Sequence, residues 1–102
     1  DHTYILDKEL GKLAIASRCS SPKTGIIMEV YTDQPGVQLY TGNWMSGNLR
    51  GKHDHRYPAR AALCLETQHY PDSPNKPEYP STRLNPGETF RSTTIFRFTL
   101  KA

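Results

Sequence analysis

Four prolines, spaced one every third residue at positions 71, 74, 77 and 80, constrain this chain more than any other feature. Proline fixes φ and lacks a backbone N–H, so no regular helix or strand continues through this stretch. The residues before it, 61–68, alternate with the period of a β-strand. In that strand Glu66 shares a face with Cys64 and Gln68, while Leu65 points to the other face. The sequence therefore predicts an acid-bearing strand that runs into a rigid loop, which is typical of a binding site.

Strand patterning recurs along the whole chain, and helical periodicity is almost absent. The clearest segment is rich in β-branched residues and sets Ile26, Met28 and Val30 on one face. The predicted strands are residues 3–6, 12–18, 26–32, 37–41, 61–68 and 93–100. Short strands joined by turns, without intervening helices, are typical of antiparallel all-β folds. About six of them in one chain predict a small β-sandwich.

Turn and loop signals complete the organisation. Pro35-Gly36 and Pro86-Gly87 each place Pro and then Gly at the two central positions of a type II turn. Two polar loops, residues 42–58 and 69–82, are longer than the usual connections inside a compact domain. Such loops are commonly functional or packed against something else, so we expect this chain to belong to a larger body.

Composition limits the function classes. The 102 residues suffice for one small domain, and an apolar fraction of 35% is low for a self-sufficient one. The net charge of +3 is mild and its charges are scattered, so we expect no nucleic-acid partner. No run of 18 apolar residues and no signal-peptide pattern occurs, so we expect no membrane partner. The chain opens on Asp1 rather than Met, which indicates a processed or partial chain.

The two cysteines, Cys19 and Cys64, lie far apart and form no CxxC pair. Buried free thiols are the expected state, because a lone Cys commonly behaves as a small apolar residue. Free thiols favour a cytoplasmic location, which we take as an expectation.

Each chemical candidate has a plainer interpretation. Taken alone, Glu66 is either a general base set among apolar neighbours or a strand acid paired with a Lys or Arg. His53 and His55 flank Asp54, but without further ligands at defined spacing a metal site is not expected. The proline spacing matches polyproline II, so a ligand for a proline-reading domain is an alternative to a rigid loop.

Longer motifs carry a family resemblance. The strings GVQLYTGNWMSGNLRGK at 36–52, CLETQHYPDSPNKPEYPS at 64–81 and LNPGETFRSTTIFRF at 84–98 closely resemble the C-terminal part of the aldose 1-epimerases, the galactose mutarotases. The opening DHTYIL is similar to a DHNF-type segment of that family, and IIMEVYTDQPG at 26–36 matches the strand and turn that follow. The resemblance spans essentially the whole chain in the family's order.

The resemblance implies a fold and a reaction. The fold is a large antiparallel β-sandwich, the galactose mutarotase-like supersandwich, and residues 1–102 are the C-terminal portion of its single domain. The reaction interconverts the α and β anomers of hexoses such as galactose and glucose by acid–base ring opening, with no cofactor and no metal. The partners are the hexose substrate and the remainder of the same enzyme. A non-catalytic carbohydrate-binding or scaffold module of the same fold is the alternative.

Residue roles follow from the same resemblance. Glu66, the Glu of the LETQ strand, is the catalytic base; Asp1 and Gln38 bind the sugar. The family's His acid lies upstream of the DH segment, so it precedes Asp1. The chain's own histidines do not replace it: they are His2, His53, His55 and His69. Aromatic residues near the loops, among them Trp44, are candidates to pack against the apolar face of a sugar.

Overall fold

A computed structural model describes all 102 residues, and it is all-β. Six strands form two three-stranded antiparallel sheets, consistent with an all-β sandwich. The strands are β1 (His2–Ile5), β2 (Ala14–Ser20), β3 (Ile26–Thr32), β4 (Gly36–Tyr40), β5 (Cys64–Gln68) and β6 (Thr94–Leu100). Two single-turn 3₁₀ segments, Lys52–Asp54 and Ser73–Asn75, are the only helical pieces. Neither approaches the length or apolar character that spanning a membrane demands.

The strands do not pair in simple sequence order. One sheet, called sheet A, has the order β1-β4-β5, and the other, sheet B, has the order β2-β3-β6. Strands β1 and β2 are neighbours in the chain and are joined by a charged turn, yet they belong to different sheets. Predicted and observed strands agree within a few residues, and the largest difference is β5, which begins at Cys64 rather than at residue 61.

Threonine hydroxyls join the two sheets. Thr94 at the start of β6 bonds to Thr67 of β5 at 2.7 Å and to Thr32 of β3 at 3.1 Å. Val30 and Thr32 are fully buried, and Val37 of sheet A is 4% exposed. The inner faces of the two sheets therefore meet around these threonines, because strand alternation turns Val37 and Thr67 to the same side of sheet A.

Much apolar surface stays open. Only nine of the 102 residues are buried, and the accessible surface of 8062 Å² exceeds the roughly 5,800 Å² expected for a folded chain of this mass. The radius of gyration is 16.6 Å, against about 13 Å for a compact domain of this length. Phe98 and Leu100 in β6 are 64% and 73% exposed. They lie on the same face of sheet B as Val30, Thr32 and Thr94. This chain therefore covers the inner face of sheet B near Thr94 and leaves its Phe98–Leu100 end open.

The two predicted turns have different outcomes. Asn85 to Glu88 form the expected type II turn, with φ of +85° at Gly87 and a bond from the Glu88 N–H to the Asn85 carbonyl at 3.0 Å. The prediction at Pro35-Gly36 is wrong, because Gly36 lies within β4 and has no positive φ. A Cβ at Gly36 would stand 3.1 Å from the Tyr70 ring, so the glycine provides space rather than a turn.

The proline loop is folded on itself. Asp72 has a left-handed backbone with φ of 64°, and the 3₁₀ turn Ser73–Asn75 follows it. The rings of Tyr70 and Tyr79 pack edge to face with centroids 5.2 Å apart. Because polyproline II is an extended helix without turns, this geometry supports the rigid-loop interpretation and contradicts the proline-ligand one.

Candidate functional site

Two of the three predicted site residues, Gln38 and Glu66, lie side by side on one face of sheet A. The strand register sets Thr3 of β1 opposite Gln38 of β4, and Gln38 opposite Glu66 of β5. Directly opposed side chains in an antiparallel pair have Cβ atoms about 5 Å apart on the same face. Thr3, Gln38 and Glu66 therefore form one transverse row across the sheet, which we call the polar row.

Hydrogen bonds extend the polar row to the start of the chain. The Gln38 amide donates through Nε2 to the carboxylate Oδ2 of Asp1 at 3.2 Å. Its Oε1 accepts from the Thr3 hydroxyl. Gln68, two residues beyond Glu66 and on the same face, donates from Nε2 to the Thr3 hydroxyl at 3.5 Å. Asp1, Gln38 and Glu66 are thus brought to one surface from three separate parts of the sequence.

Glu66 itself is exposed on this surface. It takes part in none of the ion pairs of the chain, whose acids are Glu9, Glu29 and Asp54. The interpretation of Glu66 as an ion-paired strand acid is therefore wrong. The expectation of a carboxylate buried among Leu and Cys is also wrong for this chain, because Leu65 points to the opposite face and nothing in residues 1–102 covers the polar row.

None of the four histidines joins the polar row. His2 is exposed and, next to Thr3, points to the other face of β1. His69 bonds through Nδ1 to Oε1 of Gln34 at 2.7 Å. His53 and His55 are exposed in the loop before β5.

A metal site at the loop histidines is not supported. Asp54, the acid between His53 and His55, is held by Arg50 at 2.6 and 2.7 Å from its two carboxylate oxygens. No group of three or more His, Cys, Asp or Glu side chains is arranged to hold a metal ion.

Beside the polar row lies an apolar cavity of about 360 Å³. Tyr40 and Cys64, an opposed pair two residues along from Gln38 and Glu66, are among the residues that line it. Met45 and Tyr57 from the loop that joins β4 to β5 complete it, with Gly42, Ala61 and Ala62. Sequence reasoning missed this cavity, although Met45 and Tyr57 are among the few large apolar residues of an otherwise polar loop.

Three further predictions concern residues around the site. Cys19 and Cys64 are free thiols, as expected. They are not buried: Cys64 is exposed, because it lies on the same open face as Glu66. Trp44 is 85% exposed in the loop after β4. Its packing against a sugar stays a prediction.

Thr3 and Gln68 are site-associated residues that were not predicted. The signal for them was available, because period-2 alternation sets Thr3 on the face of Asp1, and Gln68 on the face of Glu66. The alternation pattern does not give the register in which β1 pairs with β4.

Comparison with known proteins gives one consistent family. A family profile described as aldose 1-epimerase matches residues 1–97. Over 100 residues the chain is 47% identical to a galactose mutarotase of Mus musculus and 43% identical to one of Homo sapiens, each alignment covering 98% of this chain. It is 35% identical over 101 residues to an aldose 1-epimerase of Escherichia coli strain K12, with 96% of this chain covered. The chain spans 29% of the length of each of these relatives.

Proposed function

Because the chain belongs to the aldose 1-epimerase family, we propose that the protein it forms part of is a mutarotase. The reaction is the interconversion of the α and β anomers of a hexose such as galactose or glucose. The observation that carries the proposal is the meeting of Asp1, Gln38 and Glu66 on one open face of sheet A. A surface of this kind offers carboxylate and amide groups to sugar hydroxyls, and it leaves one carboxylate unpaired for proton transfer.

In this proposal Glu66 is the general base. Its carboxylate takes the proton of the C1 hydroxyl while an acid protonates the ring oxygen, so the C1–O5 bond breaks and the open-chain aldehyde forms. Rotation about the C1–C2 bond presents the other face of the aldehyde to the C5 hydroxyl. Both proton transfers then run in reverse, and the ring closes to the other anomer. No net proton is gained or lost.

The acid comes from outside this chain. The proposed donor is a histidine in the part of the enzyme that precedes Asp1, since none of the four histidines here lies on the polar row. Asp1 and Gln38 bind sugar hydroxyls beside the base. The remainder of the enzyme covers the polar row and excludes water from it, which strengthens each polar contact to the bound sugar. Residues 1–102 alone are accordingly proposed to be inactive.

Polarimetry of the full-length protein tests the base. We expect Glu66→Gln to lower kcat by about 10²-fold or more, the usual contribution of a general base. The matched control is Glu78→Gln, the same substitution at an exposed acid of the proline loop, which should leave the rate unchanged. Undiminished anomer interconversion in Glu66→Gln would overturn the proposal.

The alternative function is a carbohydrate-binding module of the same fold without catalysis. The observation behind it is that the carboxylate and amide groups of Asp1 and Gln38 share one open face. Such groups can bind sugar hydroxyls without any proton transfer. Calorimetric binding of galactose to the full-length protein, with no acceleration of mutarotation above the buffer rate, would support the module over the enzyme.

A further inference from the structure

Thr3 stands between two amides in a chain of hydrogen bonds whose donors all point the same way. Gln68 donates to Thr3, Thr3 donates to Gln38, and Gln38 donates to Asp1. Gln68 lies on β5, Thr3 on β1 and Gln38 on β4. The series of hydrogen bonds ends at the carboxylate of Asp1, which directly precedes β1. Glu66, opposite Gln38, is next to this chain but not bonded into it.

The Asp1 carboxylate is the last acceptor, and it fixes the direction in which each hydrogen bond of the series is donated. An ionised carboxylate only accepts, so Asp1 requires the nitrogen of Gln38, and the Gln38 oxygen must face away from it. That oxygen then needs a donor, which the single hydroxyl proton of Thr3 supplies. Thr3 keeps an acceptor site free, which takes the N–H of Gln68. A reversed Gln38 amide would set its oxygen against the carboxylate, acceptor against acceptor.

The rotamer preference of glutamine does not fix the orientation of the Gln38 side-chain amide. The terminal torsion of a glutamine is broad, so the plane of the Gln38 amide is set by its hydrogen-bond partners on both sides. Asp1 holds one side, but it lies outside β1 at the start of the chain. Thr3 holds the other side from within β1, where the register with β4 fixes its position.

We propose that Thr3 is a positioning residue for the proposed reaction, acting through Gln38. It orients the amide so that one N–H holds Asp1 while the second N–H, which has no partner in this chain, is free for a sugar hydroxyl beside Glu66. Gln68 supports Thr3 from the other side. The role rests on the proposed mutarotase function, since the sugar is what the second N–H meets.

Thr3→Val in the full-length protein is the first test. Valine keeps the shape and the strand preference of threonine and removes only the hydroxyl. We expect kcat/KM to fall about two- to tenfold, the equivalent of one neutral hydrogen bond, with an unchanged melting temperature. Thr3→Ser should restore most of the loss. The control is Thr99→Val, at another half-buried edge-strand threonine, on β6 in the other sheet, which should behave as wild type.

A double-mutant cycle separates positioning from a general structural role. If Thr3 acts through Gln38, Thr3→Val should add no further loss in a Gln38→Ala background. Gln68→Met tests the same chain without touching β1 and should give a smaller loss in the same direction.

The outcomes that overturn the inference are distinct from those that overturn the function. Wild-type kcat/KM in Thr3→Val, or losses that add fully with Gln38→Ala, removes the positioning role while an inactive Glu66→Gln leaves the function intact. Retained activity in Glu66→Gln overturns the proposed function, and the role of Thr3 with it. Should Thr3→Val fail to fold, Gln68→Met decides, and wild-type kinetics in that variant also removes the role.

Discussion

The imidazole of His69 and the amide of Gln34 are bonded across the end of β5, with Nδ1 of the histidine 2.7 Å from Oε1 of the glutamine. Gln34 is only 8% exposed, and its Nε2 donates to the Ser92 hydroxyl at 2.7 Å. Since its nitrogen already donates, its oxygen accepts, and His69 carries its proton on Nδ1. Ser92 in turn donates to Asp33 at 2.8 Å. This network joins the end of sheet A that bears Glu66 to the strand ends of sheet B.

Gln34→Met is expected to lower the free energy of unfolding of the full-length protein by about 1–3 kcal/mol. Methionine fills similar space but removes two hydrogen bonds, one to the half-buried His69 imidazole and one to the Ser92 hydroxyl. A hydrogen bond of this kind contributes about 0.5–1.5 kcal/mol. Urea denaturation measures the change. His69→Ala provides the partner variant, and the double variant should cost less than the sum of the single ones because the two residues share a bond. Strict additivity would contradict a bond that contributes to stability.

Gly51→Ala is expected to displace the ring of Tyr57. A Cβ on residue 51 would stand 2.1 to 2.2 Å from atoms of that ring, which also lines the apolar cavity beside the polar row. Moving the ring breaks the bond from the Lys52 N–H to the Tyr57 hydroxyl, 3.1 Å long. Because the Tyr57 side chain is 38% exposed, its ring can swing aside. The expected cost is therefore that of the lost hydrogen bond, about 0.5–1.5 kcal/mol, and thermal unfolding of the full-length protein would show it.

Removing the Tyr57 ring tests whether contact with this ring causes the loss of stability in Gly51→Ala. In a Tyr57→Ala background Gly51→Ala should cost nothing further, because the obstacle is gone. The comparison is Gly11→Ala, where no atom lies within 4 Å but φ is +77°. Its cost comes from backbone strain, so it should be the same with or without Tyr57. An undiminished cost of Gly51→Ala in the Tyr57→Ala background would refute the steric explanation.

Glu88 is expected to titrate below its ordinary range. The Asn85 side-chain amide and backbone N–H each donate to its carboxylate at 3.0 Å, and these bonds lower the pKa of Glu88 from its usual 4.5. A lowered folded-state pKa means that the stabilisation is complete above the unfolded value and is lost as pH falls through the folded one. Carboxyl ¹³C shifts followed by NMR should give a midpoint under 4.5. Asn85→Ala should raise that midpoint, whereas a midpoint at or above 4.5 in the unaltered protein would contradict the assignment.

Local patterns in the sequence were sufficient to predict the positions of the strands, because each strand's alternation and its bounding turns lie within a few residues. The Asn85–Glu88 turn was predicted for the same reason. Pro35-Gly36 has the same two residues but lies beside Tyr70, 34 positions further along, which converts the glycine from a turn residue into a spacer. The sequence around Pro35 and Gly36 contains no signal of the contact with Tyr70.

The polar row was predicted only as separate residues. Family resemblance pointed to Asp1, Gln38 and Glu66, and alternation gave the face of each within its own strand. Their meeting depends on β1 pairing with β4, a partner more than 30 residues away, rather than with β2. The exposure of Glu66 could not be predicted either, since the burial of a strand face depends on what packs against it, and in this chain nothing does.

Residues 1–102 in isolation are expected to unfold without a cooperative transition. One face of sheet B exposes Ile26, Phe96, Phe98 and Leu100 by 44% to 73%, and both sheets have unpaired edge strands. Such a surface is an aggregation site unless it is covered. Phe98→Thr tests whether this face is open in the isolated segment and covered in the full-length protein. It should lower dye binding by the isolated segment, where Phe98 meets water, and destabilise the full-length protein by about 3–5 kcal/mol, where the remaining sandwich buries it. A sharp calorimetric transition of the isolated segment as a monomer, or a neutral Phe98→Thr in the full-length protein, would show that sheet B needs no cover.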